Sequence, residues 1–168
     1  MRSSPSIAAI VTALAWHTAI AQPSQHPHAE RSSLNDVVGV WRSDTVGGAW
    51  ARSVCAPSPL GAAVICEQDI HTPGGARHAV NMFLVDSVAR RYVYYGVTQP
   101  GEVIRAVPLA IADHVWAYGG GERDDDGLYH RTINDFSSPG SYLWRQESSR
   151  DGVNWVAGQA HGRSVRER

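Results

Sequence analysis

The chain has 168 residues, enough for one domain with a real core and too few for two comfortable ones. Hydrophobic residues make up 43%, which excludes disorder of the whole, and a formal charge of −1 argues against nucleic acid as the main partner. All 15 basic residues are arginine, so Schiff-base chemistry and a P-loop lysine are excluded.

The N-terminus reads as a processing segment. Arg2 supplies a short positive region, Ile7 to Ile20 a short apolar one, and Ala19-Ile20-Ala21 a small-x-small cleavage site. Residues 1–21 are therefore expected to be a signal peptide, which leaves the mature protein periplasmic or extracellular. The apolar run is shorter than the ~20 residues of a membrane helix, so no transmembrane segment is expected in the mature form. Residues 22–33 are polar with two prolines and read as a flexible leader, and 34–168 as the domain. Cys55 and Cys66 are the only cysteines. In an oxidising compartment such a pair is expected to bond across the proline-rich turn between them.

From Leu34 on, the chain reads as strands after a short turn or single helical turn at Asn35-Asp36. The runs are Val37 to Ser43, Ala49 to Cys55, Ala63 to Thr72, Arg77 to Asp86, Arg91 to Thr98, Glu102 to Leu109, Ile111 to Tyr118 and Gly127 to Phe136. The last hairpin runs from Tyr142 through Ser149-Arg150-Asp151-Gly152 into Val153 to Ala160, with Asp-Gly as the tight-turn signal. Arg163 to Arg168 are charged and expected to fray. About ten short strands with turn signals every 10–12 residues predict an all-β fold, an up-and-down antiparallel meander. Closing it removes two exposed edges, so a barrel is expected, with a sandwich as the alternative.

Gly39-Val40-Trp41 resembles the G-x-W signature of lipocalins and the wider calycin group. Met82 to Tyr95 resembles the D-x-x-x-R-x-Y hairpin, and Glu147 to Trp155 the closing E-x-S-x-D-G-x-x-W hairpin, of bacterial secreted lipocalin-like proteins. The likeness runs in order from about Leu34 to Arg163, although the lipocalin T-D-Y motif has no evident counterpart. It implies a lipocalin-like barrel whose Trp41 plugs the closed end, with Arg163 as the candidate for the arginine packed across it. It also implies a cavity for a small, apolar or amphipathic molecule, and no established reaction.

Alternation sorts the strand faces. His114, Trp116 and Tyr118 share one face; Tyr142, Trp144 and Gln146 oppose Leu143, Arg145 and Glu147. Large residues thus lie on both faces of several strands. One reading is a lumen in which Arg131, Arg145 and Glu147 stand among Tyr94, Trp116, Tyr142 and Trp144 as a ligand seat. The other is aromatic and Arg–Glu pairs on the outer wall. A buried Arg145–Glu147 pair, or a pair of histidines, would also be the seat of an enzymatic alternative, isomerase or cyclase chemistry. A barrel packed shut as an envelope interaction module is the third reading.

Five histidines (His71, His78, His114, His130, His161) form no H-x-H or HExxH motif, so no metal site is expected. A related barrel type, nitrobindin, holds haem through one histidine, which makes His130 and His161 the candidates if haem binds. Glu122 to Asp126 lacks calcium-loop spacing and reads as a solvated hairpin tip. Gly-x-Ser-x-Gly is absent, and no Ser/His/Asp set can be assembled.

Overall fold

The computed structural model describes residues 31–45, 48–59, 61–99 and 101–168. Residues 1–21, expected to be a signal peptide, most of the expected leader with His26 and His28, and the first glycine of the Gly47-Gly48 turn lie outside the described residues. A 3-10 helix, Arg31–Val37, opens the described chain and takes in the last residues assigned to the leader. Ten strands follow: β1 Gly39–Thr45, β2 Trp50–Pro57, β3 Ala63–Thr72, β4 Gly75–Asp86, β5 Arg91–Thr98, β6 Glu102–Ala112, β7 Val115–Arg123, β8 Tyr129–Ser138, β9 Ser141–Ser149 and β10 Val156–Arg166. Each pairs antiparallel with the next, and β10 pairs with β1, so the expected meander closes into a barrel with no free edge. No described helix is long and apolar enough to cross a membrane.

Most strand ends lie one or more residues from the sequence reading, and three of the differences have a clear local reason. The sixth strand continues through Ile111 to Ala112, and the turn falls at Asp113-His114, both at positive φ (48° and 65°). Asp and His are among the side chains that tolerate this region, and a two-residue turn of this hand matches the strand twist. Gly152 has the positive φ expected of it (73°), but the last hairpin loop is longer than a tight turn: Val153 to Trp155 stay outside β10. Asp151 holds that loop open, accepting from the backbone N–H groups of Val153 (2.9 Å) and Asn154 (2.8 Å) and from the Ser149 hydroxyl (2.9 Å). Finally, residues 163–166 do not fray. They are the end of β10, pair with β1 from Trp41 to Asp44, and complete the closure.

The floor of the barrel is built around Trp41, which is 2% exposed. Its ring meets Tyr142 edge-on at 5.0 Å and Phe136 at 6.0 Å, and its indole N–H donates to the Val37 carbonyl at 2.7 Å. Leu34 and Val37, from the 3-10 helix, are buried in the same cluster. The arginine across Trp41 is Arg166, its guanidinium 4.5 Å from the ring centroid, not Arg163. Arg163 pairs with Asp44 and Leu143 on the other face of the sheet and donates to the Ser141 hydroxyl at 2.9 Å. Alternation decides this: 164 and 166 share the inward parity and 163 does not. Gly39 explains the rest of its motif. At φ 133° a side chain would be strained, and a Cβ there would meet the Arg166 guanidinium at 3.3 Å.

Candidate functional site

Register places Ile111, Trp116, Asn134, Trp144 and Gly162 on one inward row running across five neighbouring strands, β6 to β10. The row above it carries Leu109, Tyr118, Thr132 and Gln146. Across the barrel, Phe83 and Tyr94 are paired on β4 and β5. Aromatic rings knit these together: Phe83 lies 5.2 Å from Trp116 and 5.7 Å from Tyr118, and Tyr94 lies 4.6 Å from Tyr118. Four of the predicted ligand-binding residues, Tyr94, Trp116, Tyr142 and Trp144, therefore meet inside the barrel.

Polar tips punctuate this wall. The Tyr94 hydroxyl donates to Asn81 at 2.6 Å, and the Gln68 amide to Ser53 at 3.0 Å. Ser43 and Ser164 share a short hydrogen bond, and Tyr142 reaches both. Tyr118 is hydrogen-bonded to Asn134 and Thr132. Burial pushes the Tyr94 hydroxyl up to about 12. Tyr118 is raised still further, first by burial and then by Tyr94 and Tyr142, with Asn134 and Thr132 pulling the other way. Burial also raises Tyr142, opposed by Ser164 and Ser43. These tyrosines stay protonated donors at neutral pH rather than acting as bases.

Two buried donors stand apart. The indole N–H groups of Trp116, which is 0% exposed, and of Trp144 have no acceptor among the described residues. Trp144 lies flat across Gly162, where a Cβ would meet its Nε1 at 2.8 Å and the Asp44 carbonyl at 2.8 Å. The bare backbone of Gly162 is what lets the indole occupy the row.

The other three predicted residues, Arg131, Arg145 and Glu147, are on the outer wall. Arg131 pairs with Glu147, and Ile133 with Arg145, at positions alternate to the inward row. Glu147 is only 7% exposed because its neighbours cover it. It accepts from Arg131 (2.7 Å at Nε, 2.6 Å at the guanidinium end) and from the Arg145 Nε at 2.7 Å. Burial alone would raise its carboxyl, but hydrogen bonds from Arg145 and Arg131 and their charges hold it below the usual range. Trp155 lies over Arg131, whose guanidinium is 4.0 Å from the ring centroid. Gly120, at φ 75°, admits that ring: a Cβ there would meet it at 2.8 Å. The sequence allowed both faces for this cluster, and register assigns it to the outside.

The histidines disperse. His130 sits with Asp126 at 2.8 Å near the β7–β8 loop, and His161 is exposed on β10, bonded to the Gln159 carbonyl at 2.8 Å. His78 pairs with Asp69, His114 with Asp36, and His71 stacks on Trp50 at 3.8 Å. Neither haem candidate joins the inward row. Among the described residues, no cluster of three or more His, Cys, Asp or Glu could hold a metal ion. Cys55 and Cys66 are bonded as directly opposed residues of β2 and β3, Cα atoms 4.0 Å apart, and both are buried.

Sequence reasoning did not single out Asn81, Tyr118 and Asn134 as inward-facing polar groups. Alternation placed Tyr118 beside Trp116, but the partners come from register between strands far apart in the chain. A scan against protein-family models finds no match, and a comparison with curated proteins finds none either.

Proposed function

We propose that the chain is an exported, lipocalin-like barrel that binds one small apolar or amphipathic molecule inside the barrel, entering at the end opposite Trp41. The observation that carries this reading is the pair of buried indole donors, Trp116 and Trp144, left without acceptors on one row of an aromatic wall. An unmet buried donor costs about 1–3 kcal/mol, which a ligand oxygen would recover. Tyr94, Tyr118 and Tyr142 supply rings for the apolar body of the molecule. The buried Cys55–Cys66 bond supports an oxidising compartment and hence the signal peptide ending near Ala21. The kinship with calycin-type barrels is supported by closure of the sheet and by the way Gly39, Trp41 and Arg166 fit together. Binding is favoured over turnover because Arg145 and Glu147, the seat of the enzymatic alternative, face outward.

The test is tryptophan fluorescence titration of the oxidised protein with naphthalene, alongside native mass spectrometry of protein exported by its host. Saturable uptake of one molecule per barrel is expected, with weaker uptake in Trp144→Ala. Unsaturable quenching with every probe, together with a bare mass, would overturn the reading in favour of a packed interaction module.

A further inference from the structure

The inward face is deficient in one kind of group. Tyr94, Gln68, Ser43, Ser164, Tyr142 and Tyr118 all have protein partners, whereas the two indole N–H groups do not. The row therefore offers donors and asks for acceptors. It also lacks charge. Among the described residues, the inward positions of β2 to β5, β8 and β9 between the floor and the rim hold no Asp, Glu, Arg or His, and on β6 the register puts Glu102, opposite Thr98, at an inward position towards the rim. Arg166 is committed to Trp41 at the floor. Arg77 and His130 share the inward parity, but both are exposed at the rim, and His130 is engaged by Asp126. Arg131 and Arg145 are outside and share Glu147.

From this we infer that the molecule bound is uncharged and presents a carbonyl-type oxygen (ester, ketone, lactone or quinone) to the indole N–H groups of Trp116 and Trp144. The inference rests on the binding reading above and narrows it. A carboxylate drawn down to that row would be buried with no counter-charge, a cost far larger than two hydrogen bonds return. An ammonium would meet donors where it needs acceptors. An alkane would leave both indoles unmet. Trp116 and Trp144 stand two strands apart, about 10 Å between backbones.

The experiment is competition against a neutral naphthyl ketone with polarity-sensitive emission, using methyl octanoate, octanoate and nonane on the full oxidised protein. At about pH 8 methyl octanoate is expected to compete at least tenfold more tightly than either of the others, the order of one recovered buried donor. Octanoate should gain affinity as the pH falls to about 4 and it becomes neutral, while the ester stays constant. In the Trp116→Phe/Trp144→Phe double variant the ester should lose its advantage over nonane, a change in ligand order that loss of structure would not produce. If the double variant does not fold, the wild-type ligand order decides alone. Octanoate binding more tightly than the ester at pH 8, and losing that advantage in Arg77→Gln, would overturn the inference and place the head group at the rim. Equal affinity for ester and nonane would overturn it as well. Failure of all three, and of the ketone, to bind would overturn the binding reading itself.

Discussion

Replacing Trp41 tests the floor of the barrel and the identity of the arginine that covers it. Trp41→Ala removes a ring that is 2% exposed, two edge contacts with Tyr142 and Phe136, and the 2.7 Å hydrogen bond to Val37. Core truncations of this size cost about 3–5 kcal/mol, and the unmet Val37 carbonyl places this one in the upper part of that range. Trp41→Phe keeps most of the burial and loses the N–H donor, so about 1–2 kcal/mol is expected. The sharper test is a double-mutant cycle. Arg166→Met with Trp41→Leu should show a coupling of about 0.5–1 kcal/mol, the size of a cation–π contact at a partly exposed site. The same cycle with Arg163→Met should show none within error, because Arg163 lies on the opposite face with Ser141. Equilibrium urea unfolding with the disulfide intact supplies the free energies. Coupling of Trp41 to Arg163 in place of Arg166, or a Trp41→Ala loss below about 1 kcal/mol, would refute this account of the closed end.

Other outcomes follow from the same structure. The Cys55–Cys66 bridge closes a short loop between β2 and β3, so Cys55→Ser/Cys66→Ser should lose roughly 2–3 kcal/mol, and unfolded oxidised protein should titrate no free thiol. Two free thiols would exclude the bond. Gly162→Ala should cost about 1–3 kcal/mol and shift tryptophan emission, since its Cβ would press on the Asp44 carbonyl and the Trp144 indole; unchanged stability and emission would show that Trp144 does not lie on Gly162. Tyr94, Tyr118 and Tyr142 are all raised by burial, so their contribution to stability is complete below the unfolded value near pH 10 and is lost as pH rises through the folded values. Phenolate absorbance should therefore show these three ionising together with alkaline unfolding. Their free titration near pH 10 in folded protein would contradict the packed wall.

Much of the barrel was legible in the chain because its signals are local. Turn residues at even spacing mark strand ends wherever backbone conformation limits the side chain, and ten short strands joined in sequence leave closure as the way to protect two edges. Ala63–Thr72 and Arg91–Thr98 were delimited to the residue for this reason. The Asp113-His114 turn was not, because two non-glycine residues carry its positive φ inside an apolar run. The pairing of Cys55 with Cys66 followed from count and compartment.

Face and neighbour are different properties, and they belong to the closed sheet. Alternation separates Tyr142 and Trp144 from Arg145 and Glu147 but does not say which set is inside. Only when β10 pairs with both β1 and β9 does parity turn Arg145 and Glu147 outward and bring Trp144 inward onto Gly162. The same closure carries Arg166 across 125 residues of chain to Trp41, in place of an Arg163 whose parity is wrong by one. Sequence alone determined that short strands follow one another along the chain and which of their residues are aromatic or charged. Tertiary structure decided which of them meet, because register across ten strands is a property of the ring as a whole: slipping one strand by one residue would exchange its two faces.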